Sequence, residues 1–195
     1  MEIWLATNNK GKVAEFQKML EGLNFEVHGQ VELSYFSQPP ENGDSFEANA
    51  RIKARALKSV KPEVWVVADD SGIVVDGLGG LPGIHSARYA GEKARDSENN
   101  AKLLKMMTLR SATHRKAHFH CCLVAYDPEG NEHIFQGDLH GNISKVAKGS
   151  GGFGYDPIFI PDGFEKTLAE LSPGEKNAIS HRGKAFKELV QKLRS

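Results

Sequence analysis

The chain has 195 residues, and its 25 Lys+Arg balance 25 Asp+Glu, so the formal net charge is zero and an extended nucleic-acid-binding surface is not expected. Apolar residues at 39%, together with 20 glycines, fit a packed globular protein and exclude disordered and fibrous classes. The most apolar stretches, residues 64–68 and 121–126, are far shorter than the roughly 20 residues of a membrane span. No leader pattern precedes the first strand-like run, and the only cysteines, Cys121 and Cys122, are adjacent and cannot build a disulfide framework. One cytoplasmic domain over residues 1–195 is the expectation.

Residues 2–6 read as a strand ending at Thr7-Asn8-Asn9-Lys10-Gly11-Lys12, after which Val13, Phe16, Leu20 and Leu23 recur at helical spacing. A loop over residues 38–43 leads to Asp44 and Glu47, a cap and capping-box pattern for a helix carrying Phe46, Ala50, Ala54 and Leu57 to about Ser59. Residues 64–68 form a buried-type strand, which Asp69-Asp70-Ser71-Gly72 is expected to break before a second apolar run at Ile73-Val74-Val75. Asp96 or Ser97 offers a cap for a helix over residues 101–109. Strand-like runs over 116–127 and 132–143 flank Asp127-Pro128-Glu129-Gly130-Asn131, a hairpin signal, and a C-terminal helix begins near Arg182. The expected architecture is α/β, a mixed twisted sheet with flanking helices and a β-hairpin lobe, with an active-site cleft between two lobes.

Four segments carry chemistry. Thr7 to Lys12 places a hydroxyl, two amides, a glycine and two ammonium groups at a helix start, where backbone N–H groups and the dipole favour an anion. Its spacing is not that of a P-loop, and an ordinary polar turn remains open. Asp69 and Asp70 at a strand end are oxygen donors suited to Mg2+, with Glu41 as a second carboxylate, or else a turn that caps backbone N–H groups. Residues 149–154 match G-x-G-x-x-G, but a strand follows where a dinucleotide fingerprint requires a helix, leaving a loop whose Phe153 or Tyr155 stacks on a base or packs in the core. Lys176 to Lys184 gathers donors ahead of a helix whose N-terminal dipole opposes cations, which favours a ligand role. His118, His120 and Cys122 alternate on one strand face without an evident fourth ligand, so a packed strand face is preferred to a zinc site.

Taken together, LATNNKGK, ADDSGIVVDGLGGLPGIHSARYAG, GGFGYDPIF and KNAISHRGKA resemble, in order and over nearly the whole chain, the motifs of the inosine triphosphate pyrophosphatase family. The resemblance implies a Mg2+-dependent homodimer that hydrolyses noncanonical purine nucleoside triphosphates (ITP, dITP, XTP) to the monophosphate and pyrophosphate. It implies that Thr7, Asn8, Asn9, Lys10, Gly11 and Lys12 hold the triphosphate, that Glu41 and Asp70 are metal-linked, and that Asp70 is the general base. Ser71 would contact substrate, and Phe153, Gly154, Tyr155, Asp156, Lys176, His181 and Arg182 would line the base pocket. His85 stands where some relatives have an aromatic residue. Two rival readings are a pyrophosphatase of other modified nucleotides and a non-catalytic nucleotide- or nucleic-acid-binding module. The second is disfavoured by zero net charge and by carboxylates among the lysines.

Overall fold

A computed structural model describes residues 1–110 and 114–194. Its strands are β1 (Glu2–Leu5), β2 (Glu26–Gly29), β3 (Trp65–Val75), β4 (Lys116–Tyr126), β5 (Glu132–Ile143) and β6 (Phe159–Pro161), and its helices are α1 (Lys10–Met19), α2 (Phe46–Val60), α3 (Asp96–Leu109), α4 (Pro173–Ile179) and α5 (His181–Arg194). The sheet order is β2-β1-β3-β4-β5-β6, parallel where β1 meets β2 and β3 and antiparallel where β5 meets β6, so the expected mixed α/β sheet is formed. Among the described residues no helix is long and apolar enough to cross a membrane.

Two compact units emerge. The first comprises Met1–Asp70, Cys122–Gln136 and Ala185–Ser195. Trp4, Val66, Ala68, Val124 and Tyr126 from its strands, with Ala6 just after β1, pack with Leu33 and with Ala50, Ala54 and Leu57 of α2, the apolar stripe read from helical spacing. Phe16 of α1 meets Phe186 of α5 edge to face at 4.9 Å between ring centres. The β4–β5 hairpin closes as expected, Asp127 N donating to Asn131 O at 3.1 Å.

The second unit comprises Ser71–Cys121 and Gly137–Lys184. Its core joins Ile73 and Val75 of β3, Leu103 and Met107 of α3, Ala117 and Phe119 of β4, and Leu139 and Ile143 of β5 with Tyr155, Ile158 and Phe159.

Four local expectations are corrected. α2 is capped by Ser45, not Asp44: Ser45 Oγ accepts Ala48 N at 3.1 Å, which puts Glu47 one position too early for a capping box, and Glu47 pairs with Arg51 at 2.7 Å instead. The acidic run does not break the strand; β3 continues through Asp69, Asp70, Ser71 and Gly72 because cations neutralise the two carboxylates. α3 starts at Asp96, where Glu98 Oε2 accepts Arg95 N at 2.7 Å. Lys176 lies on a helix of its own, α4, capped by Ser172 and separated from α5 at Ser180.

Candidate active site

In the first unit the phosphate-type loop is stitched together internally. Asn9 Oδ1 accepts Gly11 N at 2.9 Å and Lys12 N at 3.2 Å, and Thr7 Oγ1 accepts Asn9 N at 3.1 Å. The helix-start N–H groups read as anion donors are therefore capped by the loop's own side chains, and the charge it offers an anion resides in Lys10 and Lys12. Lys10 is exposed, whereas Lys12 reaches Asp69 Oδ2 at 3.2 Å.

Asp69 and Asp70 are consecutive on a strand and so project to opposite faces. Asp70 faces Lys53 of α2, whose ammonium donates to Asp70 Oδ1 at 2.8 Å, Asp69 O at 2.9 Å and Glu41 Oε2 at 3.2 Å. Lys53 is only 5% exposed. Burial opposes its charge, yet Asp70 and Glu41 outweigh that penalty and hold its pKa above the ordinary lysine value. Asp70 does not mirror this gain: burial raises its pKa to about 6 although Lys53 pulls the other way, and repulsion from the Glu41 and Asp69 charges adds to the rise. Asp70 Oδ2 is buried and has no hydrogen-bond partner among the described residues. A carboxylate oxygen left in that state lacks the compensation that a hydrogen-bond donor or a cation supplies.

Glu41 is held from its other side. Gln38 Nε2 donates to Glu41 Oε1 at 2.9 Å, and Gln38 Oε1 accepts Asn8 Nδ2 at 3.3 Å and Gln30 Nε2 at 3.0 Å. Asn8 of the loop and the Glu41 carboxylate thus share one amide.

In the second unit Phe153 is 58% exposed, with Lys176 Nζ 4.5 Å and the Arg182 guanidinium carbon 5.9 Å from its ring centre. An exposed aromatic face flanked by cations is suited to stacking a base that carries polar edges. Asp156 is buried, and its Oδ2 accepts Lys176 Nζ at 2.5 Å and Phe153 N at 2.9 Å. Glycine is required beside it, because a Cβ on Gly152, whose φ is +73°, would lie 1.9 Å from that oxygen. Arg182 is buried, and the His181 ring stacks on Phe119 at 4.9 Å. The Tyr155 side chain packs in the core: its hydroxyl donates to Ser86 O at 2.7 Å, and burial raises its pKa. Ser71 is half-buried on β3.

The family model described as the Ham1 family matches residues 3–192. The chain belongs to the Ham1 family. A dITP/XTP pyrophosphatase of Bdellovibrio bacteriovorus is 52% identical over 196 residues, spanning 100% of this chain and 98% of that protein. A dITP/XTP pyrophosphatase of Desulforamulus reducens is 44% identical, spanning 99% and 96%. The structure of a HAM1 protein from Coxiella burnetii superposes with a TM-score of 0.92 at 40% identity, spanning 100% and 98%. The four motifs that resemble nucleoside triphosphate pyrophosphatases thus lie in a Ham1 chain, and the fold agrees with a solved member.

Three residues of this Ham1 chain escape a reading from pattern alone: Lys53, Gln38 and Asn100. Lys53 carried a signal, since it shares with Ala50, Ala54 and Leu57 the helix face that is buried. A lysine on an apolar stripe needs a buried partner. His118 and His120, set aside as zinc ligands, lie beside His140 at 5.3 Å between ring centres and Asp138 at 2.7 Å respectively. Among the described residues no group of three or more His, Cys, Asp or Glu is arranged to hold a metal ion.

Proposed function

We propose that this chain hydrolyses ITP, dITP and XTP to the nucleoside monophosphate and pyrophosphate, with Mg2+ as cofactor, and so removes deaminated purines from the nucleotide pool. The observation that carries this reading is the half-buried Asp70 carboxylate, one oxygen on Lys53 and the other buried without a hydrogen-bond partner among the described residues, beside Glu41 and next in sequence to the Asp69–Lys12 pair. The names of the relatives support the reaction class.

Hard oxygen donors such as Glu41 and Asp70 fit Mg2+, which typically takes one or two protein carboxylates together with substrate phosphates. Bound there, the ion would supply neutralisation of phosphate charge and a lowered pKa for water. Lys10 and Lys12 hold the triphosphate by charge, and Lys53 fixes the Asp70 carboxylate. Asp70 accepts the proton of the water whose oxygen bonds to the α-phosphorus; the bond from that phosphorus to the bridging oxygen breaks, and pyrophosphate leaves. Phe153 stacks the base, while Asp156, Lys176, His181 and Arg182 surround its edge. A 6-oxo acceptor can take a hydrogen bond from a donor such as Arg182, whereas the amino group of adenine offers such a donor no acceptor. A homodimer in the cytoplasm belongs to the same reading.

The test is release of pyrophosphate and phosphate from ITP, XTP, GTP and ATP, each with and without Mg2+. Pyrophosphate from ITP and XTP that requires the metal is expected. Orthophosphate would mean cleavage at the terminal phosphate and would overturn the reading.

A further inference from the structure

The segment Asp96-Ser97-Glu98-Asn99-Asn100 opens α3 with five polar residues, a type usually exposed to solvent. Two of its members are instead buried, Asn99 at 3% and Asn100 at 6% exposure. Asn99 ties down one neighbouring segment: its Oδ1 accepts Ala90 N at 2.7 Å and its Nδ2 donates to Ala87 O at 3.2 Å. Asp96 and Asn100, one helical turn apart on the same face, close on a single residue of another segment. Asp96 Oδ2 accepts Gly154 N at 2.6 Å, and Asn100 Nδ2 donates to Gly154 O at 3.0 Å.

Both backbone polar groups of Gly154 are thereby fixed from one rigid helix, at a residue whose φ of +62° leaves the loop a sharp bend. On one side of that bend the exposed Phe153 ring lies beside Lys176 and Arg182. On the other, Tyr155 is anchored through its hydroxyl to Ser86 O. With Tyr155 immobile in the core, the orientation of the Gly154 peptides sets where the Phe153 ring stands. We propose that Asp96 and Asn100 are positioning residues for base recognition, acting through Gly154 to hold Phe153 as a stacking platform. This rests on the reading above that Phe153 meets the base.

Asp96 is exposed, so its replacement spares the core, whereas Asn100→Ala removes a buried amide and risks the fold. The experiment therefore compares Asp96→Ala with Asp96→Asn, which keeps an acceptor oxygen. Two readouts are taken, ITP kinetics against inhibition by inorganic tripolyphosphate, and amide hydrogen exchange at Gly154. Asp96→Ala is expected to raise KM for ITP about tenfold with kcat within about twofold, to leave tripolyphosphate inhibition unchanged, and to speed Gly154 exchange at least about tenfold. Asp96→Asn is expected to restore most of both.

A merely structural role would lower kcat through loss of active protein and leave KM alone, and that pattern overturns the proposal. Faster Gly154 exchange with unchanged KM overturns it as well, while leaving the pyrophosphatase reading intact. Wild-type protein that releases no pyrophosphate from ITP overturns the pyrophosphatase reading and the base-positioning role with it, whatever the exchange shows.

Discussion

Replacing Lys53 by Met tests the charge cluster most directly, because Met keeps the length of the side chain and removes only the ammonium. Lys53 serves three acceptors, Asp70 Oδ1, Asp69 O and Glu41 Oε2, and is 5% exposed. Removing one partner of a buried ion pair typically costs about 3–5 kcal/mol, since the remaining charge is left uncompensated. Asp70 can relieve part of that cost by taking up a proton, because its pKa already lies near 6, so the lower end, about 3 kcal/mol, is expected near neutral pH. With a urea m-value of about 2 kcal/mol/M, the unfolding midpoint of the metal-free variant should fall by about 1.5 M at unchanged m. Added Mg2+ should restore more stability to the variant than to the parent, because carboxylates that have lost their lysine attract the cation more strongly. A ligand at a hundred times its Kd contributes about 2.7 kcal/mol. A loss below about 1 kcal/mol, or equal gains from Mg2+, would refute the account of Lys53 as the buried counter-ion of Asp70 and Glu41.

Asp70→Asn should retain the fold and nucleotide binding while pyrophosphate release falls about 10²- to 10⁴-fold, and near-normal turnover would remove Asp70 as the base. Gly152→Ala would drive a methyl group into Asp156 Oδ2, dislodging it from Lys176, and KM for ITP should rise about tenfold; an unchanged KM would argue against this pair in base recognition. Tyr155→Phe should lower stability by about 1–3 kcal/mol in thermal unfolding by leaving a buried carbonyl short of a donor, and a neutral result would show that water replaces the hydroxyl. Burial raises the Asp127 pKa, but His133 and both Asn131 donors outweigh it and hold the carboxyl at about 2, below its ordinary 3.8. Because the folded value is the lower one, this stabilisation is complete above about pH 4 and drains as pH falls toward about 2. Urea midpoints measured across that range should flatten in Asp127→Asn, and an unchanged slope would refute the assignment.

Elements whose residues face one consistent environment were legible from spacing. The period of Ala50, Ala54 and Leu57 defines α2, and the Asp127–Asn131 turn defines the β4–β5 hairpin. Where a side chain depends on a distant partner, pattern misleads. Asp69 and Asp70 read as a break because nothing nearby in sequence announces Lys12 or Lys53. Asn99 and Asn100 carry no signal in the sequence, because amides that satisfy loop backbone are indistinguishable by pattern from a polar helix start. In the base-side segment Phe153 and Tyr155 are equivalent as residue types, and only the hydroxyl contact with Ser86 sends one ring inward while the other stays exposed.

Two lysines of the first unit face three carboxylates, Lys12 paired with Asp69 and Lys53 with Asp70 and Glu41. A polyanion that drew Lys12 to itself would have to compete with Asp69 for that ammonium. On the proposed pyrophosphatase reading, binding would be an exchange of partners: each phosphate group gained would make the carboxylates hungrier for a cation, and by reciprocity a bound cation would release the lysines for phosphate. Phosphate and cation would then bind more strongly together than either does alone.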